Sequence, residues 1–173
     1  MQTDSTCTVY GADGALRSWS MPLDSRRWLR APPPRSTIAA DVPIADIMTT
    51  RVICARRDVR LDTVVRLLVE HHIGCIPIVD DRGKPIGIVT KADLIERGDS
   101  ARIAADVMMP LAITLDERAT VADASAMFVS EDFHHIMIVS STGTLIGVAS
   151  TKDVVRWLDD NDRAARLLLV RKA

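Results

Sequence analysis

The sequence predicts a mixed α/β (α+β) fold: two β-α-β-β-α repeats, related by a pseudo-twofold and packed sheet to sheet. Three observations predict it. First, the chain overlays itself without a gap at a shift of 60 residues, so that ADIMTTRVIC (45–54) falls on ADVMMPLAIT (105–114) and IPIVDDRGKPIGIVTKAD (76–93) on IMIVSSTGTLIGVASTKD (136–153). Identical pairs at that shift include Asp46/Asp106, Met48/Met108, Ile53/Ile113, Ile78/Ile138, Gly83/Gly143, Gly87/Gly147 and Asp93/Asp153, the signature of a duplication. Second, the apolar period alternates between strand-like and helix-like within each copy. Third, a unit of about 55 residues buries too little surface to be stable alone, so the two copies need a shared core.

The elements follow in order. Residues 1–40 lie outside the repeat; APPPRS (31–36) reads as an extended spacer, and few apolar positions recur. This segment is expected to be flexible or loosely docked, with Trp19 and Trp28 as anchors. Repeat 1 takes residues 41–99 and repeat 2 residues 100–158. VICA and AITL are short apolar strands. Leu61, Val64, Val65, Leu68 and Val69 then fall on one face of a helix, matched in copy two by Val121, Ala124, Ser125, Phe128 and Val129. CIPIVD and HIMIVS read as buried strands, DRGK and STGT as glycine-containing hairpin turns, PIGIVT and LIGVAS as returning strands. DLIERG and DVVRWL are short second helices. Residues 159–173 form a helical tail, in which Asn161 or Asp162 can cap a helix ending in an apolar Leu167–Val170 run.

Composition narrows the function classes. The 173 residues carry a formal net charge of -1 and are 47% apolar, which suits a globular protein and not a dedicated nucleic-acid binder. Residues 41–155 hold 12 Lys/Arg against 17 Asp/Glu, so the basic excess is confined to the flanks. Cys7, Cys54 and Cys75 are odd in number, and two sit in apolar runs, where a thiol behaves as a small hydrophobe. The N-terminus has no signal-peptide pattern, and nowhere do 18 apolar residues run together. A reducing, cytoplasmic setting is the expectation.

The chemistry-bearing pattern is G-h-h-[Thr/Ser]-x-x-Asp, written once as GIVTKAD from Gly87 and again as GVASTKD from Gly147. It has two readings. As a capping box, the hydroxyl of Thr90 or Ser150 accepts from the third backbone N–H of the following helix, while Asp93 or Asp153 reaches back to the cap N–H. As half of a ligand site, the carboxylate accepts from a diol, beside helix N–H groups that favour an anion. Capping boxes prefer Glu at the last position. Asp is expected to reach back poorly and to suit a rigid diol, so exchanging Asp for Glu at 93 or 153 is expected to separate the two.

With the duplicated order, the D-I-M-T and D-V-M-M starts, the IGCIPIVD strand and this motif in hand, residues 42–157 resemble a CBS-domain pair, the regulatory module named after cystathionine β-synthase. The resemblance implies a disc-like module that often forms a homodimer, binds AMP, ADP, ATP or a related adenosyl ligand between its repeats, and regulates without catalysing. It implies Thr90, Asp93, Ser150 and Asp153 as ribose and phosphate contacts. Ser150 and Asp153 would work with Thr50, Ile53 and the backbone of Ile73, Gly74 and Cys75. Thr90 and Asp93 would work with Met109, Ile113 and the backbone of Phe133, His134 and His135. A basic residue before the second strand reaches phosphate in this family; copy two has His134 there, whereas copy one has Gly74, which weakens the Thr90 site.

Other candidates read blandly. The paired histidines at 71–72 and 134–135 lack metal-ligand spacing, so no metal is expected. Lys91 and Lys152 face solvent or phosphate. Met48, Met108, Met109, Met127 and Met137 fill apolar faces, and Asp46 and Asp106 cap the short turns that open each copy. There is no P-loop, no G-x-G-x-x-G and no nucleophile elbow, so no catalysis or catalytic cofactor is expected. The 1–40 segment is too short and polar to be an effector domain, so an effector protein would act in trans. Two rivals stand beside the sensor: a structural dimerisation module with degenerate pockets, and a nucleic-acid accessory protein using Arg26, Arg27, Arg30, Arg35 and the C-terminal tail.

Overall fold

The structure, a computed structural model, describes residues 5–13, 15–21, 42–97, 101–110, 112–131 and 133–170. Repeat 1 contains β3 (Arg51–Ala55), α1 (Leu61–Glu70), β4 (Cys75–Val79), β5 (Pro85–Thr90) and α2 (Lys91–Arg97). Repeat 2 opens on the short α3 (Ala104–Val107). It continues through β6 (Thr114–Asp116), α4 (Val121–Ser130), β7 (His135–Val139), β8 (Leu145–Ser150) and α5 (Thr151–Val170). The lead-in of repeat 1 is the 3-10 turn Ile44–Asp46. The β-α-β-β-α order is therefore present twice, and the two β-β turns match. Gly83 and Gly143 take φ of 73° and 80°, the left-handed region that glycine enters without a Cβ clash.

Ahead of the repeats, β1 (Ser5–Tyr10) and β2 (Leu16–Met21) form an antiparallel hairpin, and β1 pairs in parallel with β3 from Thr6↔Arg51 to Tyr10↔Ala55. The first sheet thus has five strands in the order β2-β1-β3-β4-β5, and the second has three, β6-β7-β8. Residues 5–21 correct the expectation of a loose extension. Cys7 and Val9, 1% and 4% exposed, alternate with half-buried Thr6 and Thr8, and that face belongs to the core between the sheets. Trp28 and the arginines at 26, 27, 30 and 35 lie outside the described residues.

Among the described residues, three clusters make up the interior. Between the sheets, Cys7, Val9, Val52, Cys54, Cys75 and Val79 meet Met137, Leu145 and Val148. The other two each mix the repeats. Val42, Ile44, Ala45 and Met48 of the first lead-in pack on Val121, Ala124, Phe128 and Ala149 of repeat 2. In return, Ala104 and Val107 of the second lead-in pack on Val59, Leu61, Val64 and Val89 of repeat 1. Backbone hydrogen bonds fix the exchange. Thr49 and Val148 bond reciprocally at 2.8 and 3.0 Å, and Ile88 and Met109 at 3.1 and 2.9 Å. Leu145 N–H also donates to Gly83 O, 3.0 Å away across the two turns.

Three helices differ from their sequence expectations. In α1 the buried residues are Leu61, Val64, Leu67 and Leu68, while Val65 and Val69 are 41% and 62% exposed; on α4, Val129 is 87% exposed. The lead-in covers only part of each apolar stripe, and its flank faces outward. The predicted break between the second helix of repeat 2 and a terminal helix is absent, because α5 runs unbroken for 20 residues. No Gly or Pro interrupts 151–170, and Asn161 does not cap but donates from Nδ2 to Trp157 O at 2.8 Å.

Candidate functional site

Both motifs sit where a returning strand hands over to a helix, and both close as caps. Asp93 Oδ2 accepts from the Thr90 N–H at 2.7 Å and from its hydroxyl at 2.6 Å, while the Asp93 N–H points back at Thr90 Oγ1 over 3.4 Å. Ser150 and Asp153 repeat this at 2.8, 2.6 and 3.3 Å. Thr120 and Asp123 build the same box at the start of α4, at 2.8, 2.8 and 3.2 Å. These distances correct the expectation that Asp is too short to reach back. Asp fits, and an added methylene disturbs the cap itself, so an Asp-to-Glu exchange does not cleanly separate cap from site. The caps leave a second carboxylate oxygen, Oδ1, in each motif. Asp93 is 7% exposed. The Asp153 side chain is 15% exposed, with Oδ1 4.0 Å from Arg156 Nη1.

The exchange of lead-ins decides what lies beside each motif. The Thr49–Val148 bridge sets Thr49 and Thr50 against β8, the strand that ends at Ser150. The Ile88–Met109 bridge sets Met109 against β5, the strand that ends at Thr90. Met109 thus lies opposite Ile88, two residues ahead of Thr90, whereas the antiparallel register carries Thr50 away from Ser150, toward Gly147. Ile53 and Ile113, both half-buried, pack against the helix-side cores of repeats 1 and 2 respectively. The strand ladders place Cys75 opposite Thr90 and His135 opposite Ser150, so the starts of β4 and β7 lie beside the motif of their own repeat. The same edge brings the His134 carbonyl to the Thr151 N–H at 3.2 Å. Gly74 closes the gap between repeats: a β carbon there would stand 2.9 Å from His135 Nε2. Ile73 and Phe133 are half-buried just ahead of these strands, and the His134 residue is exposed.

The electrostatics around the two motifs differ. Burial, followed by the neighbouring His134 charge, holds the His135 imidazole below the ordinary histidine range, and the Asp153 carboxylate opposes this. At the equivalent position, burial pushes the Cys75 thiol up to about 12, so it stays protonated. The Asp106 carboxyl accepts from the Arg102 and Ile103 N–H groups at 2.8 and 3.0 Å, which lowers its pKa and caps the turn that opens repeat 2. Among the described residues no three His, Cys, Asp or Glu side chains converge as metal ligands. No helix among them is long and apolar enough to cross a membrane. A separate cleft of about 270 Å³ lies between the β1–β2 turn and α1, lined by Tyr10, Gly11, Ala12, Asp13, Arg60, Thr63 and Arg66; no motif residue lines it. Its hairpin wall went unread in the sequence, although STCTVY alternates with period 2 ahead of the turn-like GADG.

Comparison with known proteins agrees with this fold. A family model for the CBS domain matches residues 44–99 and 104–160. An uncharacterized 17.7 kDa protein of Acidianus ambivalens is 27% identical over 120 residues, 68% of this chain and 73% of that protein. An uncharacterized protein of Methanopyrus kandleri is 32% identical over 115 residues, 59% of each chain. Inosine-5′-monophosphate dehydrogenase of Mycobacterium bovis is 30% identical over 128 residues, 70% of this chain and only 24% of the enzyme. Among solved structures, CBSX2 in complex with AMP aligns with a TM-score of 0.64 and 22% identity, covering 69% of this chain and 97% of that one. The CBS domain pair of protein MJ0100, in complex with 5′-methylthioadenosine and S-adenosyl-L-methionine, aligns at 0.65 and 22% with the same coverage. At such identities the likeness to these structures is one of fold.

Proposed function

Because this chain belongs to the CBS-domain family, we propose that it is a regulatory module, without catalysis of its own, that binds an adenine nucleotide or related adenosyl ligand between its repeats. The observation that carries the reading is the reciprocal exchange of lead-ins. It brings a segment of one repeat alongside the strand that leads into each Thr/Ser–Asp motif of the other, and each motif keeps one carboxylate oxygen outside the cap. Such an oxygen accepts from a ribose hydroxyl, and the adjoining helix N-terminus favours phosphate. The ligands in the structures of similar fold, AMP in one and 5′-methylthioadenosine with S-adenosyl-L-methionine in another, support the ligand class.

Binding would signal by differential affinity: a ligand wedged at the seam favours one arrangement of the two sheets, and a partner reads that arrangement. Val69, Ile95, Val129, Val155 and Leu158, each more than half exposed on α1, α2, α4 and α5, support a homodimer as the unit that responds. A cytoplasmic setting and an effector protein acting in trans belong to the same reading. The test is thermal unfolding with AMP, ATP, 5′-methylthioadenosine and S-adenosyl-L-methionine. A ligand selective for the native state raises the midpoint, by about 2.7 kcal/mol of stabilisation at a hundredfold excess over Kd. An unmoved midpoint with all four overturns the reading.

One observation favours a second reading, a structural dimerisation module with degenerate pockets. The third box, Thr120–Asp123, has the same geometry at a helix with no assigned ligand. Unmoved midpoints together with a stable dimer would select it.

A further inference from the structure

We propose that the cleft between the β1–β2 turn and α1 is a second binding site, separate from the seam, for a small organic anion that carries one phosphate or carboxylate group. The inference does not rest on the adenosyl-ligand reading, because no residue of either Thr/Ser–Asp motif lines this cleft.

Three observations carry it. The first is the wall that α1 supplies. Arg60, Thr63 and Arg66 line the cleft at a spacing of three, which sets them in one row along the helix surface. A guanidinium offers a planar fork of donors that matches a carboxylate or phosphate, and the Thr63 hydroxyl lies between the two forks in that row. Arg60 already holds the Asp62 carboxylate through Nε at 3.1 Å and Nη2 at 2.8 Å. Arg66 is exposed and, among the described residues, enters no ion pair, so its charge is open to a ligand.

The second is the facing wall. Half-buried Tyr10 packs on the core of repeat 1 and brings a phenol hydroxyl. The turn beyond it is closed by the Gly11 N–H, which donates to Ala15 O at 3.1 Å, and by Asp13 Oδ1, which accepts from the Ala15 N–H at 3.0 Å. The Asp13 carboxylate thus folds back on its own turn. Two arginines against Asp13, with Asp62 beside them, leave little net charge, which suits one anionic group on an uncharged body and not a polyanion. The volume of about 270 Å³ equals the liquid share of about nine waters, room for a small metabolite.

The third is the comparison that the duplication supplies. At the shift of 60, Arg60, Thr63 and Arg66 become Thr120, Asp123 and Ala126. In repeat 2 the first two close the capping box of α4, and β6 is left as an edge strand. In repeat 1 the Arg60 side chain makes no cap hydrogen bond, and the hairpin is added. The repeat fold is therefore built without these arginines in one copy, and the other goes without a cap worth about 1 kcal/mol where they meet the hairpin. A ligand held by both walls would clamp the hairpin onto α1.

Calorimetry of the full chain with glycerol 3-phosphate, succinate and neutral glycerol tests this. At least one of the two anions is expected to bind at concentrations up to about 10 mM, and glycerol is not; which anion binds identifies the group. Arg66→Gln should leave the unfolding midpoint unchanged and weaken binding about tenfold or more, the loss of a charge-assisted hydrogen bond. Arg66→Lys should restore part of it. Arg156→Gln, which removes the guanidinium beside Asp153 at the seam, should bind the anion as the wild type does. Neither anion binding, glycerol binding as tightly, an Arg66→Gln variant of undiminished affinity, or a loss in Arg156→Gln would each overturn the inference and leave the adenosyl-ligand reading standing. Unmoved midpoints with the four adenosyl ligands would overturn that reading and leave this one.

Discussion

Replacing Gly87 by Ala tests the interlocking of the repeats at one atom. A β carbon at 87 would stand 2.6 Å from the carbonyl oxygen of Met109, about 0.8 Å inside ordinary contact. The obstacle is backbone, and that oxygen accepts from Ile88 N–H at 3.1 Å in the bridge that holds the second lead-in on β5. Relieving the overlap stretches both hydrogen bonds of the bridge, each worth about 1 kcal/mol net. Opposing this, Ala restricts the unfolded chain and returns roughly 0.4–1 kcal/mol. The expected outcome is a loss of about 1–2 kcal/mol. Gly147→Ala is the control built into the duplication. There the nearest atoms belong to the Met48 side chain, whose thioether can swing aside, so the loss should stay below about 1 kcal/mol. Urea unfolding of both variants at constant m reads the difference. A Gly147→Ala variant less stable than Gly87→Ala would refute the reasoning, because it would mean that the side chain and not the backbone is the rigid wall.

Other outcomes follow from the same geometry. Removing a cap hydroxyl by Thr120→Ala should cost about 1 kcal/mol in urea unfolding, without any ligand present. The Asp123 carboxyl is held below its usual range by the Thr120 N–H and hydroxyl, so its stabilisation is complete above about pH 4 and lost as pH falls through the depressed value. Asp123→Asn should flatten the acid limb of a stability–pH curve. His135 carries the same sign at higher pH: being held neutral when folded, it withdraws stability as pH falls below about 6.5, and His135→Gln should remove that slope in the ligand-free protein. The three thiols are at most 7% exposed, so an aromatic disulfide reagent should label them only after unfolding; rapid labelling of the native chain would contradict the packing between the sheets. Val9→Ala, which empties a site 4% exposed in that packing, should lose about 1–3 kcal/mol by thermal or urea unfolding.

The sequence made the repeats legible because each glycine, apolar strand and helix stripe occurs twice, so one copy checks the other. Leu61, Val64 and Leu68 against Val121, Ala124 and Phe128 is such a check. Features with no counterpart in the second copy were harder to read. The β1–β2 hairpin is marked only by Cys7 and Val9 alternating with threonines, beside a proline-rich segment that reads as spacer. Asn161 and Asp162 resemble a cap, but local propensity yields where no Gly or Pro stops the helix. The motif residues were legible as types, whereas the reach of Asp93 and Asp153 to the cap N–H depends on backbone approach, which spacing does not encode. The crossing of His135 to Gly74 depends on how the copies dock, a relation between distant residues that no local pattern carries.

The hairpin on β3 gives the molecule a front and a back. Without it, a docking protein would meet nearly the same outline after a half-turn and could bind in two orientations. With five strands along one flank and a three-residue strand ending the other, each chain presents a single address. A surface that reads the β1–β2 flank can then tell repeat 1 from repeat 2, a distinction that the duplication alone would have erased.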